Sequence, residues 1–155
     1  MEKNLKFQDT NIFYLISHRG NLSGRIPEQE NNPSYINEAL DKGFNVEIDV
    51  WYENSNWYLG HDKPMYKIEF DYLKNNKLWC HAKNLEALEG MIADDKIHCF
   101  WHQEDDLTLT SRNIFWVYPG KPYNHNSICV LQNVNDKISG KVLGICSDFI
   151  VNYKN

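Results

Sequence analysis

The chain has 155 residues, 42% of them hydrophobic and 24% charged, which is apolar material for one globular domain over 1–155 and leaves little room for a second. A formal charge of -5 excludes binding nucleic acid through a general basic surface, but a local phosphate site needs only one or two well-placed cations. No apolar run approaches the length of a membrane span, so no stable membrane insertion is expected. No signal-peptide pattern opens the chain, and Cys80, Cys99, Cys129 and Cys146 sit in apolar runs without paired metal spacing. The expectation is a cytoplasmic protein with buried free thiols.

In chain order, IFYLIS at 12–17 predicts the first strand, and NPSYINEALDKGF at 32–44 predicts a helix. Asn32 is placed to cap that helix, Pro33 suits its first turn, and Gly43 stops it. FNVEIDVW at 44–51, NWYLG at 56–60 and KLWCHA at 77–82 predict strands, with a helical turn over IEFDYLKNN at 68–76. NLEALEGMIADD at 84–95 predicts a second helix, with Leu85, Leu88 and Ile92 on its apolar face. KIHCFWH at 96–102 predicts a strand, and DLTLTSRN at 106–113 a short helical turn. NIFWVY at 113–118, SICVLQ at 127–132 and VLGICS at 142–147 predict three more strands. Most of these runs are continuously apolar, which suits strands covered on both faces. The early alternation of strand and helix implies a parallel sheet. A full barrel of eight strand–helix units takes about 200 residues or more, so the expected α/β fold is a reduced TIM-type (β/α) barrel with several outer helices short or missing.

One pattern conflicts with a plain core strand. Glu47 and Asp49 alternate with Val46, Ile48 and Val50, so both carboxylates point to one face. Two ionised carboxylates side by side repel and lose hydration when covered, so either that face is wet or something positive sits there. Three other short stretches carry candidate chemistry. SHRG at 17–20 places an imidazole and a guanidinium at a strand end, GHD at 60–62 ends the next hairpin strand, and CHAK at 80–83 puts His81 and Lys83 on a shared face. Each is unremarkable alone. Together, His18, Asp49, His61 and Lys83 fall near the ends of successive strands, where parallel sheets bind ligands. Carboxylates suit hard divalent cations, and Arg and Lys suit phosphate, so the set points to a phosphate ester as substrate.

The order HRG, E-x-D, HD resembles the glycerophosphodiester phosphodiesterases, in a barrel superfamily that also includes phosphatidylinositol-specific phospholipases C. PEQEN at 27–31 is similar to that family's Pro-Glu-Asn stretch, with Glu30 as its glutamate and Glu28 as a competitor. GFNVEIDVW and YLGHD resemble its second strand and the run ending in its second histidine, and GICSDFI at 144–150 is similar to its closing strand with a Ser/Thr-Asp pair. The close match covers 16–62. His81-Ala82-Lys83 stands where the family commonly has Glu-x-Lys, and the chain is shorter than most relatives.

The resemblance implies a metal-dependent phosphoric diester hydrolase. Glu47, Asp49, Glu30 and His81 would hold a divalent ion, Mg²⁺ or Ca²⁺, or a softer ion if His81 is a ligand. His18 and His61 would serve as acid and base in either order, with Arg19 and Lys83 on the phosphate. The alternatives are a lyase-type relative that stops at a cyclic phosphate, and a catalytically idle barrel that binds phosphorylated ligands. Elsewhere, His98, His102 and Glu104 share a strand face ahead of an acidic loop, read as solvated rather than as a second metal site. Trp79, Trp101 and Trp116 are read as packing, and Tyr118, Pro119 and Gly120 as a candidate pocket rim.

Overall fold

A computed structural model describes residues 14–154. Ile12 and Phe13 of the first predicted strand lie outside the described residues. Strand β1 (Tyr14–His18) leads through a loop to helix α1 (Pro33–Asp41). The Asn32 side chain accepts a hydrogen bond from the Ser34 amide at 3.0 Å, which satisfies one of the orphan donors of the first turn. Strand β2 (Asn45–Glu53) follows, and its second half folds back as an antiparallel hairpin with β3 (Asn56–Leu59) and then β4 (Tyr66–Ile68). After a 3-10 turn (Phe70–Lys74), β5 (Leu78–Ala82) returns parallel to β2. Helix α2 (Leu85–Ile92) leads to the short β6 (Cys99–Phe100). Strand β7 (Leu107–Leu109) pairs antiparallel with β8 (Phe115–Val117), and β9 (Ser127–Leu131) and β10 (Gly144–Ser147) are joined only by loops. A last 3-10 turn spans Ile150–Tyr153.

The parallel part of the sheet runs β6-β5-β2-β1-β10-β9-β8, with the β3-β4 hairpin and β7 added antiparallel. This corrects the expected fold. The protein is a strand-rich, curled mixed sheet, a half-barrel with two α-helices among the described residues, and not a TIM-type barrel of alternating strands and helices. The physical reason lies in the connections. YPGKPYNHN at 118–126 and QNVNDKISGK at 132–141 are rich in Pro, Gly and Asn, which favour turns over helices. The link from β2 to β5 is a hairpin and a 3-10 turn instead of a crossover α-helix. Two local readings are also corrected. Residues 107–109 form β7 where a helical turn was predicted, and β6 keeps only two residues of a seven-residue prediction.

The two faces of the sheet divide the sequence by alternation. Val46, Ile48 and Val50 of β2 join Ile36 and Ala39 of α1, Ala87 and Met91 of α2, and Leu78, Cys80 and Ala82 of β5 in the convex-side core. Each Val or Ile buried this fully contributes about 1.5–3 kcal/mol. Helix α2 docks through Ala87 and Met91, whereas Leu85 and Ile92, predicted to face the core, are 71% and 57% exposed. On the concave side, Ile16, Trp79, Phe100, Trp116, Ile128 and Cys146 pack into a second cluster, with Tyr14 against the edge of Trp79. Trp79 and Trp116 therefore fill the interior, while Trp101 lies at the surface. All four cysteines are free and buried, and burial pushes the Cys80 and Cys146 thiols well up. Among the described residues, no helix is long and apolar enough to cross a membrane.

Candidate active site

Above the apolar floor, the next concave-facing position of each strand is polar. His18 ends β1, Glu47 and Asp49 belong to β2, His81 to β5, and Asp148 follows β10. The register fixes their neighbours: His18 pairs with Glu47, and Asp49 with His81. Because these strands are parallel, their carboxyl ends open together into one cleft of about 610 Å³. Its lining includes His18, Arg19, Glu47, His61, His81 and Lys83. Of the eight predicted site residues, Asp49 lies just beneath that lining and Glu30 stands to one side.

The turn that delivers His18 and Arg19 is strained and tightly tied. Arg19 has φ 58° and Gly20 φ 96°, and a Cβ at Gly20 would stand 2.6 Å from Tyr35 Cδ1. The Arg19 amide donates to the Glu47 carbonyl at 2.9 Å, and the Asn31 amide donates to the Arg19 carbonyl at 3.0 Å. These bonds hold the turn against the end of β2.

His18 is held from both sides. Its Nδ1 is 2.8 Å from Asp148 Oδ1, which leaves Nε2 3.5 Å from Glu47 Oε2. Burial alone would lower the imidazole pKa, but the Asp148 hydrogen bond and the Glu47 charge outweigh it and raise it. Asp148 also accepts from Asn21 Nδ2 at 2.9 Å. Burial opposes its ionisation, yet His18 and Asn21 hold its carboxyl below the usual range.

Glu47 and Asp49 divide in behaviour. Asp49 accepts from Asn31 Nδ2 at 2.8 Å, and its amide donates to Asn31 Oδ1 at 2.9 Å. Arg19 Nε lies 3.0 Å from Asp49 Oδ2. Against burial, His81, Arg19 and Asn31 hold Asp49 well below the ordinary carboxylate range. Glu47 moves the other way, because burial and the Asp49 charge outweigh its cationic neighbours. Two oxygens of this pair, Glu47 Oε2 and Asp49 Oδ1, are buried without a hydrogen-bond partner. A buried unpaired carboxylate oxygen costs on the order of 1–3 kcal/mol or more, and a cation is one partner these atoms could hold. His81 Nδ1 lies 3.3 Å from Asp49 Oδ1 and 3.8 Å from Glu47 Oε1, the other oxygen of Glu47.

Glu30 does not join this group. It accepts from Arg25 Nη2 at 2.8 Å, Asn21 Nδ2 at 3.1 Å and Arg19 Nη1 at 3.3 Å. Its potential ligand partners are His18 and Asp148, while Glu47, Asp49 and His81 form the other acidic-imidazole cluster among the described residues. Arg19 is thereby committed to Glu30 and Asp49. Lys83 lines the cleft with no carboxylate within 4.0 Å among the described residues. His61, 44% exposed, pairs with Asp62 at 2.7 Å on the rim.

The two histidines of the 96–102 run are both buried. His98 is buried, bonded to Thr110 Oγ1 at 2.7 Å and packed on Trp79, with burial lowering its pKa to about 4. His102 lines the cleft, bonds to the Asp105 carbonyl and stacks on Tyr118, which lines the cleft together with Pro119. Sequence reasoning missed Arg25 and Asn21. Asn21 follows HRG directly, a signal that could have been used, whereas Arg25 lies in a loop without periodicity. Asp148 entered only through the resemblance of the closing strand, with no hint that it orients His18. No protein-family model, curated protein or solved structure matches the chain.

Proposed function

We propose that the protein is a divalent-metal-dependent phosphoric diester hydrolase acting on small glycerophosphodiester-like substrates. The observation that supports this best is the juxtaposition of two unpartnered buried carboxylate oxygens with an imidazole already oriented by a carboxylate, in a cleft that also presents cations. The resemblance of HRG, E-x-D and HD to the phosphodiesterase motifs points the same way.

Glu47 and Asp49 are the residues to hold the ion, which when bound supplies Lewis-acid polarisation of a phosphoryl oxygen. Asp148 fixes His18 with Nδ1 engaged and Nε2 directed into the cleft, the arrangement of a proton-transfer group. His61 supplies the second proton-transfer position from the rim. Lys83 and Arg25 supply the positive charge for the phosphate. Arg19 acts one step back, by holding Asp49 and Glu30 in place.

Phosphorus NMR of glycerophosphocholine incubated with the metal-supplemented protein tests the reading. A monoester product is expected, and a cyclic phosphate as end product would place the protein with the lyase-type relatives. The variant His18→Ala is expected to lower the rate at least ~100-fold. An unchanged rate in that variant would remove His18 from the chemistry.

A further inference from the structure

We infer that His81 is the third ligand of the Glu47–Asp49 centre, through Nδ1, and that it makes this centre favour nitrogen-binding divalent ions such as Zn²⁺ and Co²⁺ over Mg²⁺ and Ca²⁺. The inference rests on the metal-binding part of the function proposed above.

The tautomer of His81 is dictated by its far side. His81 Nε2 lies 2.8 Å from the His102 backbone carbonyl, which can only accept. Nε2 therefore carries a proton, and in the neutral ring Nδ1 carries a lone pair. The ring cannot turn over freely, because it stacks on Phe100 with centroids 5.1 Å apart and planes 9° apart, and a flip would put carbon against the carbonyl. The His102 carbonyl is held in turn, since the His102 ring is stacked on Tyr118 and bonded to the Asp105 carbonyl.

The Nδ1 lone pair thus points at two carboxylates, an arrangement that repels unless a proton or a cation lies between. A single proton on Nδ1 can serve Asp49 Oδ1 or Glu47 Oε1, but not both. One dication serves all three groups. Two ligand atoms about 2.1 Å from an ion stand roughly 3.0 Å apart at right angles and 3.4 Å apart at the tetrahedral angle. The observed 3.3 Å from Nδ1 to Asp49 Oδ1 falls in that range, and 3.8 Å to Glu47 Oε1 needs only a small side-chain adjustment. An imidazole in place of an oxygen donor shifts preference toward Zn²⁺, Co²⁺ and their neighbours.

The experiment is nitrogen-15 NMR of the full chain, histidine-labelled and loaded with Zn²⁺, together with calorimetric titrations of Zn²⁺ and Mg²⁺. Expected is a metal-shifted Nδ1 on His81 with Nε2 still protonated. The variant His81→Asn, which puts an amide near the Nδ1 position, is expected to lower the ratio of Zn²⁺ to Mg²⁺ affinity at least ~10-fold. His125→Ala, at an exposed histidine, should leave that ratio unchanged. A His81 ring protonated on both nitrogens in the zinc-loaded protein would overturn the inference, as would an unchanged ratio in His81→Asn. The NMR result decides the matter even if that variant fails to fold. Zinc ligation by His81 without diester turnover would sink the hydrolase reading and leave the ligand assignment standing, whereas no metal binding at all would remove both.

Discussion

At the scale of single residues, the His18–Asp148 contact has consequences that can be read by pH. Folding raises the His18 pKa and lowers that of Asp148. The raised imidazole contributes stability that is complete below its unfolded value of about 6.5 and is lost as pH rises through its folded value. The lowered carboxyl contributes stability present above about 3.9 and lost as pH falls through its folded value. The pair therefore stabilises the metal-free protein most between these limits, near pH 5. Asp148→Asn is expected to cost about 1.5–3 kcal/mol there, the range for a hydrogen bond to a charged group, and less at pH 8.5. Urea denaturation of both proteins at the two pH values checks this, and a proton-NMR titration should show the His18 pKa falling in the variant. An equal cost at both pH values would mean that the contact matters only as packing. HRG and E-x-D were legible because they are short and local. The Asp148 partnership was not, because it joins residues 130 positions apart through the β1–β10 register.

At the scale of elements, the strands that carry the site are those whose alternation is strongest. The β2 sequence spells out its two faces, with Val46, Ile48 and Val50 to one side and Glu47 and Asp49 to the other, and that pattern survives into the structure unchanged. α2 shows where pattern fails. Leu85, Leu88 and Ile92 have helical spacing, but of the three only Leu88 packs against the core, and the helix docks mainly on its smaller Ala87 and on Met91, because its start is pinned elsewhere. The pin is Asn84. Its Oδ1 accepts from Ala87 N at 3.1 Å and Tyr52 N at 3.2 Å, and its Nδ2 donates to Tyr52 O at 2.9 Å. Helix cap and strand end are joined by one side chain. Asn32, the cap of α1, reaches only Ser34 and is solvent-facing. Replacing a capping Asn by Ala costs about 0.5–2 kcal/mol. Asn32→Ala should fall near the lower end, and Asn84→Ala should reach or exceed the upper end because two bonds to β2 go with it. Comparing the urea midpoints of the two variants tests whether Asn84 is a joint or merely a cap.

For the whole molecule, the sequence revealed where the strands end but not how far the sheet would close. Strand ends follow from local punctuation such as HRG, GHD and the turn after Ser147, whereas closure depends on a shell of helices that the loops at 118–126 and 132–141 cannot form. A half-barrel still gathers the carboxyl ends of its parallel strands, which is why the polar cluster assembles without the full barrel. The cluster lies on the dry floor formed by Ile16, Trp79 and Phe100, so an ion bound there would be linked to the stability of the entire sheet. Glu47 and Asp49 are both on β2, which bonds to β1, β3 and β5, and unfolding would scatter the ligands. An ion that binds only the folded state at 100 times its dissociation constant adds about 2.7 kcal/mol. For a chain of this size each kcal/mol moves the midpoint by about 2–4 °C, so metal should raise Tm by roughly 5–10 °C over the chelated protein. Asp49→Asn keeps the volume and the link to Asn31 but removes a charge from the ion's position, and should abolish most of that rise. Thermal denaturation of both proteins with chelator and with Zn²⁺ makes the comparison. An equal rise in the variant would place the metal somewhere other than the Glu47–Asp49 pair.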